Sequence, residues 1–483
     1  MIYNIFNEVV EKYFAKNAII YEQVIVTYQA LNELVLSIDE TFKSIPKNNV
    51  VGIFTDNPIL FVVVYLSSSK NKTKIVPIDR RLACSEIESL IKECQVTHIV
   101  SDSAIEELIT LNVTFEVKHS LGEANFLLYK INNMQHCIPS YYQSSDYIVQ
   151  YTSGSTGKPK GIALSQKNIS SRVMNWSHTI ELNHTDIILC TLTLSHSHGS
   201  DVLMLPGLLN GCTIIAPELS KLTPRRICKL IDQYNVTVFS SLPFMYELIL
   251  KTVPSTNINL SSLRHMISGS APLNSNSARD FLEKFGKGIS QVYGLSEIGP
   301  ICFSGDPSKF GYIGHFVHGI ESQIVPTDTY NENVGELIVK GESLSRGYLN
   351  SPSSLMTMYK NDWLWTQDIV SVDSNGLQIQ GRKSSFINSG GNKIDPREVE
   401  AAIQLHPDIN EVVVVGVSDP VKTEKIIAFI TKDIKSEVHS KALHLHLKGK
   451  LAAYKIPDLF VFVPEIPKSP LGKVQVTSLL EVL

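Results

Sequence analysis

The residues best suited to chemistry form one loop, residues 151–161, with the sequence YTSGSTGKPKG. The loop follows the apolar residues 147–149, so it leaves a predicted strand. Its small residues would let backbone N–H groups and hydroxyls approach an anion, and Lys158 adds positive charge. The spacing differs from the GxxxxGK[ST] of a Walker A loop. Composition alone leaves two interpretations open, a phosphate-binding loop and a flexible surface loop.

Four further residues carry side chains that could bind a metal or take part in catalysis. Glu297 is a hard oxygen ligand of the kind that Mg²⁺ prefers, although a glutamate after a turn is more often a solvated charge. Lys473 ends the stretch PKSPLGK, and a lysine near a C-terminus is usually solvated as well. His196 and His198 alternate, which would place them on one face of a strand. A zinc site would need a third and usually a fourth ligand, and no such cluster is visible.

The elements that must position these groups alternate between two kinds. Short β-branched runs at residues 50–54, 236–239 and 411–417 predict strands, several of them buried on both faces. Amphipathic stretches at residues 85–94 and 224–234 predict helices. Strands that alternate with helices predict an α/β protein with mainly parallel sheets.

The chain is long enough for more than one domain, because 483 residues exceed what one hydrophobic core usually serves. We predict a boundary after the strand at residues 377–380. Beyond it, Asp395 and Pro396 begin a predicted helix, and Glu398 could close a capping box. The predicted organisation is a large N-terminal domain at residues 1–381, a hinge at residues 382–385 and a small mobile α+β lid at residues 386–483.

Composition excludes several classes of partner. The net charge is −4, and 43% hydrophobic and 19% charged residues are ordinary for a globular protein. Dispersed charge argues against a nucleic-acid or membrane-surface binder, so we expect a small-molecule partner. Seven scattered cysteines predict reduced thiols, and the start of the chain lacks the pattern of a signal peptide. We therefore expect a cytoplasmic protein.

Together these stretches resemble the adenylate-forming superfamily of acyl-CoA synthetases, nonribosomal peptide synthetase adenylation domains and luciferases. Residues 151–161 resemble its phosphate loop, six further stretches follow in the family's order, and VPID at residues 76–79 also fits. The resemblance implies that ATP and Mg²⁺ bind and that a carboxylate attacks the α-phosphate to form an acyl-AMP. It implies as acyl acceptor the thiol of coenzyme A or of a carrier protein's phosphopantetheine.

The resemblance also implies roles for individual residues. Lys473 resembles the catalytic lysine, which would offset charge in the transition state, and Glu297 resembles the magnesium ligand. Residues 335–348 resemble a structural motif, so Tyr348 is predicted to belong to the core. The residues implied to bind ATP or AMP are Thr152, Ser153, Gly154, Ser155, Thr156, Gly157, Lys158, Ser270, Ala271, Pro272, Tyr293, Gly294, Ser296, Asp368 and Arg382. Gly390 and Gly391 resemble the loop that lines the tunnel for the thiol.

The sequence departs from the family's pattern at several positions. The hinge position, usually Asp, is Ser384, and the family's lysine four residues later is Asn388. Gln367 replaces the middle glycine of a TGD motif, so the local turn is expected to differ. Gln475 replaces a basic residue after the catalytic lysine. These changes bear more on thiol transfer than on adenylation.

The class of acid depends on one position. Amino-acid-activating relatives carry an aspartate where His196 stands, so a plain carboxylic acid is favoured, although a shifted alignment would bring Asp201 to this place. Two alternatives stay open. One is a stand-alone amino-acid adenylating enzyme that loads a carrier protein, and the other is a non-catalytic nucleotide-binding relative.

Overall fold

The computed structural model describes residues 1–47, 49–105, 113–121, 124–132, 142–152, 160–326, 334–349, 358–383, 387–389, 392–419, 423–433, 436–448, 450–468 and 474–483. The chain forms two compact units. One contains Met1–Ser322 and Val339–Leu364, and the other contains Gln323–Ile338 and Trp365–Leu483. The predicted domain boundaries stay predictions, and the predicted hinge residue Ser384 lies outside the described residues.

The first unit contains a nine-stranded sheet in the order β16-β15-β14-β13-β12-β10-β11-β1-β2. Five neighbouring pairs, from β1 to β14, are parallel, and the edge pairs are antiparallel. The strands are β1 (Asn17–Tyr21), β2 (Val24–Thr27), β10 (Ile187–Cys190), β11 (Thr213–Ile215), β12 (Val238–Ser241), β13 (His265–Ser268), β14 (Ser290–Leu295), β15 (Gly299–Phe303) and β16 (His315–Phe316).

A seven-stranded sheet in the same unit has the order β6-β7-β5-β3-β4-β8-β9. Its central pairs are parallel, and all five residues of β3 are buried, as an apolar run with both faces covered requires. The strands are β3 (Val50–Phe54), β4 (Lys74–Pro77), β5 (His98–Ser101), β6 (Val113–Leu121), β7 (Ala124–Ile131), β8 (Asp146–Thr152) and β9 (Lys160–Ser165).

Helices cover both sheets of this unit. They are α1 (Ile2–Tyr13), α2 (Tyr28–Ser37), α3 (Asp39–Ser44), α4 (Pro58–Asn71), α5 (Cys84–Cys94), α6 (Gln166–Thr179), a π-helix (His198–Met204), α7 (Leu205–Leu209), α8 (Pro224–Tyr234), α9 (Pro243–Thr252) and α10 (Ser275–Phe285), with 3₁₀ turns at Leu219–Lys221 and Ser255–Asn257. Twelve consecutive residues of α4, from Pro58 to Ser69, are buried because the helix contacts β1 of one sheet and β4 and β7 of the other.

Two further sheets complete the fold. One has the order β17-β18-β20-β19 with β21 beside β20, and the other has the order β23-β22-β25-β24 with β26 beside β25. Their strands are β17 (Glu321–Pro326), β18 (Val334–Lys340), β19 (Tyr359–Lys360), β20 (Trp363–Asp373), β21 (Gly376–Arg382), β22 (Ile387–Ser389), β23 (Asn392–Ile394), β24 (Ile409–Asp419), β25 (Thr423–Lys432) and β26 (Leu459–Phe462). The helices are α11 (Pro396–Gln404), α12 (Ser440–Leu447) and α13 (Val476–Leu480), with a 3₁₀ turn at Ala453–Lys455.

The predicted α/β class with mainly parallel sheets is confirmed. The helix predicted from residue 395 also forms, with the Asp395 side chain accepting from the Arg397 N–H. The predicted capping box is not formed, because the Glu398 carboxylate pairs instead with Lys455 Nζ at 2.6 Å. None of the helices in the described ranges is long and apolar enough to cross a bilayer.

Candidate active site

Three of the stretches predicted to form the site follow strands of the nine-stranded sheet. Residues 191–197 follow β10, residues 269–272 follow β13, and residues 296–297 follow β14. The strands β10, β12, β13 and β14 are parallel neighbours, so their carboxyl ends lie along one edge of the sheet. This edge is where open α/β sheets bind ligands. The structure therefore brings three of the predicted stretches to one edge.

His196 lies in a turn and not on the predicted strand. After β10 the chain reverses and enters the π-helix at His198, and a Cβ atom on Gly199 would clash with the Thr193 carbonyl oxygen. The prediction that the two histidines share one strand face is therefore wrong. A glycine at position 199 permits a close reversal that the alternation of residue types does not reveal.

The imidazole of His196 is held by a buried carboxylate. His196 Nε2 lies 2.9 Å from Asp79 Oδ2, and Arg81 donates to both Asp79 oxygens, from Nε at 2.9 Å and from Nη2 at 2.6 Å. Burial alone raises the pKa of the Asp79 carboxyl, but hydrogen bonds from Arg81 and His196 lower that pKa well below its usual range. The ionised carboxylate therefore orients His196. Sequence reasoning missed this partner, which lies 117 positions away.

His198 joins two strand ends through its ring. Its Nε2 lies 2.7 Å from Ser240 Oγ at the end of β12, and its Nδ1 lies 2.9 Å from Ser270 Oγ after β13. Burial lowers the pKa of His198 to about 4, because the surrounding protein disfavours the charged ring. The neutral ring can donate to one hydroxyl and accept from the other, so both nitrogens are satisfied without a charge.

This burial predicts a pH-dependent stability. Between pH 6.5 and about 4 the unfolded chain binds a proton at His198 that the folded chain does not bind, so stability falls as the pH falls through this window. At pH 4.5 we expect a loss of about 2–3 kcal/mol from this residue relative to pH 7. This loss is measured by urea unfolding of the unaltered protein and of His198→Asn at pH 7 and at pH 4.5. The variant should lose less stability on acidification, and equal losses in the two proteins would contradict the prediction.

The loop predicted to contact adenine is accessible. Ser270 and Pro272 are exposed, and Ser270 has a φ of +68°, a left-handed conformation held by the hydrogen bond of its hydroxyl to His198. Tyr293 lies in β14, opposite Cys302 of β15, and is partly exposed, as is Gly294 after it. The loop is therefore exposed to a planar ligand, and Tyr293 is partly exposed beside it.

Glu297 has one oxygen engaged and one available. The Tyr348 hydroxyl donates to Glu297 Oε1 at 2.6 Å, and among the described residues no hydrogen bond reaches Oε2. Mg²⁺ commonly takes one or two protein carboxylates and completes its shell with substrate phosphates and water, so a half-buried carboxylate with one available oxygen fits it. No group of three or more His, Cys, Asp or Glu side chains in the described ranges could hold a metal by itself.

A buried ion pair supports the backbone beside Glu297. Arg172 of α6 and Asp201 of the π-helix are 1% and 0% exposed, and Arg172 Nη1 lies 3.0 Å from Asp201 Oδ2. Asp201 also accepts from the Gln150 amide at 3.1 Å and from the Ser200 hydroxyl at 2.8 Å. The guanidinium reaches the Ser296 carbonyl oxygen at 3.4 Å. The positive charge of Arg172 thus balances the negative charge of Asp201, and the Asp201 carboxylate is not available to a ligand.

The second unit contains a separate pair of predicted ligand groups. Asp368 of β20 and Arg382 of β21 are register partners, and Arg382 Nε lies 3.7 Å from Asp368 Oδ1, too far for a hydrogen bond. Arg382 Nε is buried and has no hydrogen-bond partner among the described residues. An additional polar ligand would satisfy this donor, which fits the role in binding ribose that the resemblance implies for these residues.

Gln367 has a φ of +63°, in the left-handed region that favours glycine. A non-glycine residue at a positive φ is destabilised by about 1–3 kcal/mol, and the strain is largest for a β-branched residue. We expect Gln367→Val to lower the free energy of unfolding by about 1–2 kcal/mol and Gln367→Gly to be neutral or stabilising. Urea unfolding of the two variants tests this, and a stable valine variant would contradict it.

The remaining predicted site residues have no structural description. Thr152 ends β8, where its backbone is paired with Lys160, and the phosphate loop that follows it lies outside the described residues. The same is true of the predicted hinge residue Ser384, the predicted thiol tunnel and the predicted catalytic lysine. The residues concerned are Ser153, Gly154, Ser155, Thr156, Gly157, Lys158, Ser384, Gly390, Gly391 and Lys473.

Two family models match the chain in the order that the sequence stretches suggested. The model of the AMP-binding enzyme matches residues 6–349, and the model of the AMP-binding enzyme C-terminal domain matches residues 398–473. The chain belongs to the AMP-binding enzyme family. The first range contains the stretches at the sheet edge, and the second ends at Lys473. Asp368 and Arg382 lie between the two ranges.

Several curated relatives of this family member are CoA ligases. It is 31% identical over 347 residues to the long-chain-fatty-acid–CoA ligase of Bacillus subtilis, covering 69% of this chain and 61% of that one. It is 31% identical to 4-coumarate:CoA ligase 1 of Petunia hybrida, covering 70% and 66%, and 30% identical to the sulfoacetate–CoA ligase of Cupriavidus necator, covering 71% and 68%. The match thus spans less than two thirds of the first two relatives.

Solved structures share the fold over almost the whole chain. The ATP-bound MatB of Rhodopseudomonas palustris has a TM-score of 0.82 at 22% identity, covering 100% of this chain and 99% of that one. The o-succinylbenzoate CoA synthetase of Bacillus subtilis, solved with its acyl-adenylate intermediate, has a TM-score of 0.80 at 22% identity, covering 99% and 97%. At this identity the similarity establishes the fold alone.

Proposed function

We propose that this protein activates a carboxylic acid with ATP and transfers the acyl group to the thiol of coenzyme A. The observation that carries the proposal is the meeting of three predicted stretches at one edge of a parallel sheet. Within the part of the chain that the structure describes, one Glu297 oxygen there accepts no hydrogen bond. Membership of the AMP-binding enzyme family and the CoA ligases among its relatives support it. The unpaired described cysteines fit a cytoplasmic location.

In the first half-reaction, a carboxylate oxygen of the acid forms a bond to the α-phosphorus of ATP and the bond to the bridging oxygen breaks. Pyrophosphate leaves, and an acyl-AMP remains. A Mg²⁺ ion on Glu297 would neutralise phosphate charge. The protein's task is to position the reactants and to stabilise charge, since no covalent enzyme intermediate is needed. We assign Ser270–Pro272 and Tyr293 to the adenine, residues 152–158 to the phosphates, and Asp368 and Arg382 to the ribose.

In the second half-reaction, the thiolate of coenzyme A attacks the acyl carbon and AMP leaves with the electron pair of the anhydride bond. We propose that residues 386–483 reorient about the hinge at residues 382–385 between the two steps, so that Lys473 serves the first and Gly390 and Gly391 serve the second. Two half-reactions that share one site need such a change.

The substrate is proposed to be a plain carboxylic acid. An α-ammonium group would need an unpaired carboxylate, whereas Asp201 is bound to Arg172 and Asp79 is bound to Arg81 and His196. Removing Asp201 from Arg172 would leave a buried guanidinium unpaired, at a cost of about 3–5 kcal/mol. Asp201 and Asp79 are therefore poor partners for the α-ammonium group of an amino acid.

The acceptor is tested by product analysis. The protein is incubated with ATP, Mg²⁺ and a panel of acids, with coenzyme A in one series and a phosphopantetheine-bearing carrier protein in the other, and thioesters are identified by mass spectrometry. We expect an acyl-CoA together with one AMP and one pyrophosphate. A thioester on the carrier protein alone would move the proposal to a carrier-protein ligase. Acyl-AMP without any thioester would overturn the transfer step.

A further inference from the structure

The loop at residues 343–348 holds the Glu297 segment by two direct contacts and by a bridge through Arg172. The Tyr348 hydroxyl donates to Glu297 Oε1 at 2.6 Å, and the Ser345 N–H donates to the Glu297 carbonyl oxygen at 2.7 Å. Arg172 bridges the two segments from behind, with Nη2 at 3.2 Å from the Ser343 carbonyl oxygen and at 3.4 Å from that of Ser296. Both the backbone and the carboxylate of Glu297 are therefore fixed from this loop.

Tyr348 is itself held in place. It is 5% exposed, its ring packs edge-on against Tyr359 with 6.0 Å between the centroids, and Lys160 Nζ lies 5.6 Å from the ring centroid. The hydroxyl also lies 3.4 Å from Met358 Sδ, a weak acceptor, so its single proton goes to the carboxylate. The hydrogen bond from the Tyr348 hydroxyl to the Glu297 carboxyl group is short, at 2.6 Å.

We propose that Tyr348 is a positioning residue for the cation of the adenylation step. By occupying Oε1, its hydroxyl turns Glu297 so that Oε2 is the oxygen presented to Mg²⁺ on ATP, as a single-oxygen ligand. Arg172 fixes the backbone on which Glu297 stands. The proposal rests on the proposed function, and it revises the sequence-based prediction that Tyr348 serves only the core. Partners that orient a ligating side chain in this way are commonly worth 10–100-fold in metal affinity.

The test compares Tyr348→Phe with the unaltered protein by isothermal titration calorimetry. ATP is titrated with saturating Mn²⁺ as the probe cation, and again in EDTA, with no acid present so that no turnover occurs. We expect the Kd of the Mn²⁺–ATP complex to rise about 10-fold. The Kd of metal-free ATP should change less than twofold. Tyr28→Phe, which removes a buried hydroxyl bonded to the Cys212 carbonyl oxygen, is the matched control and should change neither value.

A second variant separates positioning from a general loss of structure. Glu297→Gln should weaken Mn²⁺–ATP binding at least as much as Tyr348→Phe, and the double variant should be no weaker than Glu297→Gln alone. Additive losses, or a Kd for Mn²⁺–ATP within twofold in Tyr348→Phe, would overturn the proposal. These binding results do not depend on turnover, so an unaltered protein that forms no acyl-AMP would count against the proposed function and not against the role of Tyr348.

Discussion

Lys473→Ala is expected to lower the rate of acyl-AMP formation by about 100- to 1,000-fold and to leave ATP affinity within about threefold. In the proposed reaction a carboxylate approaches a phosphate, and negative charge grows on the transferring group. A lysine that meets this charge in the transition state accelerates the step, whereas its contribution to ground-state binding is small. The assignment rests on the resemblance of PKSPLGK to the family's C-terminal loop, and the matched C-terminal model extends to residue 473.

The rate is measured in single-turnover experiments by mass spectrometry of acyl-AMP, and ATP binding is measured by calorimetry. Lys441→Ala, at an exposed position of α12, removes the same charge elsewhere and should leave both values unchanged. A Lys473→Ala variant that adenylates at the normal rate would show that this assignment is wrong. Parallel losses of adenylation and ATP affinity would indicate a binding role instead.

Asp201→Asn is expected to lower the free energy of unfolding by about 3–5 kcal/mol. The substitution keeps the shape of the side chain but leaves the guanidinium of Arg172, whose side chain is 0% exposed, without a counter-charge. Arg172→Met should cost a similar amount, because it leaves the Asp201 carboxylate unpaired. Because Arg172 also reaches the carbonyl oxygens of Ser296 and Ser343, both variants are expected to lose affinity for Mn²⁺–ATP as well.

The free energy of unfolding is measured in urea for the two single variants and for the double variant Arg172→Met/Asp201→Leu. The double variant should be more stable than either single variant, since it contains no unpaired buried charge. Arg225→Met, at an exposed position of α8, is the control and should change stability by about 0.5 kcal/mol or less. Single variants within 1 kcal/mol of the unaltered protein would contradict the importance of this pair.

The sequence predicted the helices and strands better than it predicted the contacts between residues that are distant in the chain. Val50–Phe54 is a short apolar run, as in a strand covered on both faces, and Pro224–Tyr234 has helical periodicity. The cap at Asp395 could be predicted because it depends only on the four residues 395–398. The turn at Gly199 escaped prediction because it depends on the close approach of Thr193, which the alternation of the two histidines does not reveal. The Glu398 carboxylate forms an ion pair with Lys455, which is distant in the chain, and does not bond to the start of its own helix.

The polar contacts of the site could not be predicted because their partners are distant in the chain. Asp79 and His196 are 117 positions apart, Arg172 and Ser296 are 124 apart, and Glu297 and Tyr348 are 51 apart. The residue type alone left Glu297 as either a Mg²⁺ ligand or a solvated charge. The resemblance favoured the ligand, and it assigned Tyr348 to the core. Tyr348 is in fact both buried and bonded to the carboxylate, so burial alone does not separate a packing residue from a positioning one.

The central claim, that this protein adenylates a carboxylic acid, is tested most directly by carboxylate-dependent exchange of labelled pyrophosphate into ATP. The panel contains aliphatic, aryl and amino acids, and Glu297→Gln is the negative control. We predict exchange that depends on one class of plain acid and is lost in the variant. Exchange that depends on amino acids would contradict the proposed substrate class. No exchange with any acid, from folded protein that binds ATP, would contradict the proposed activity.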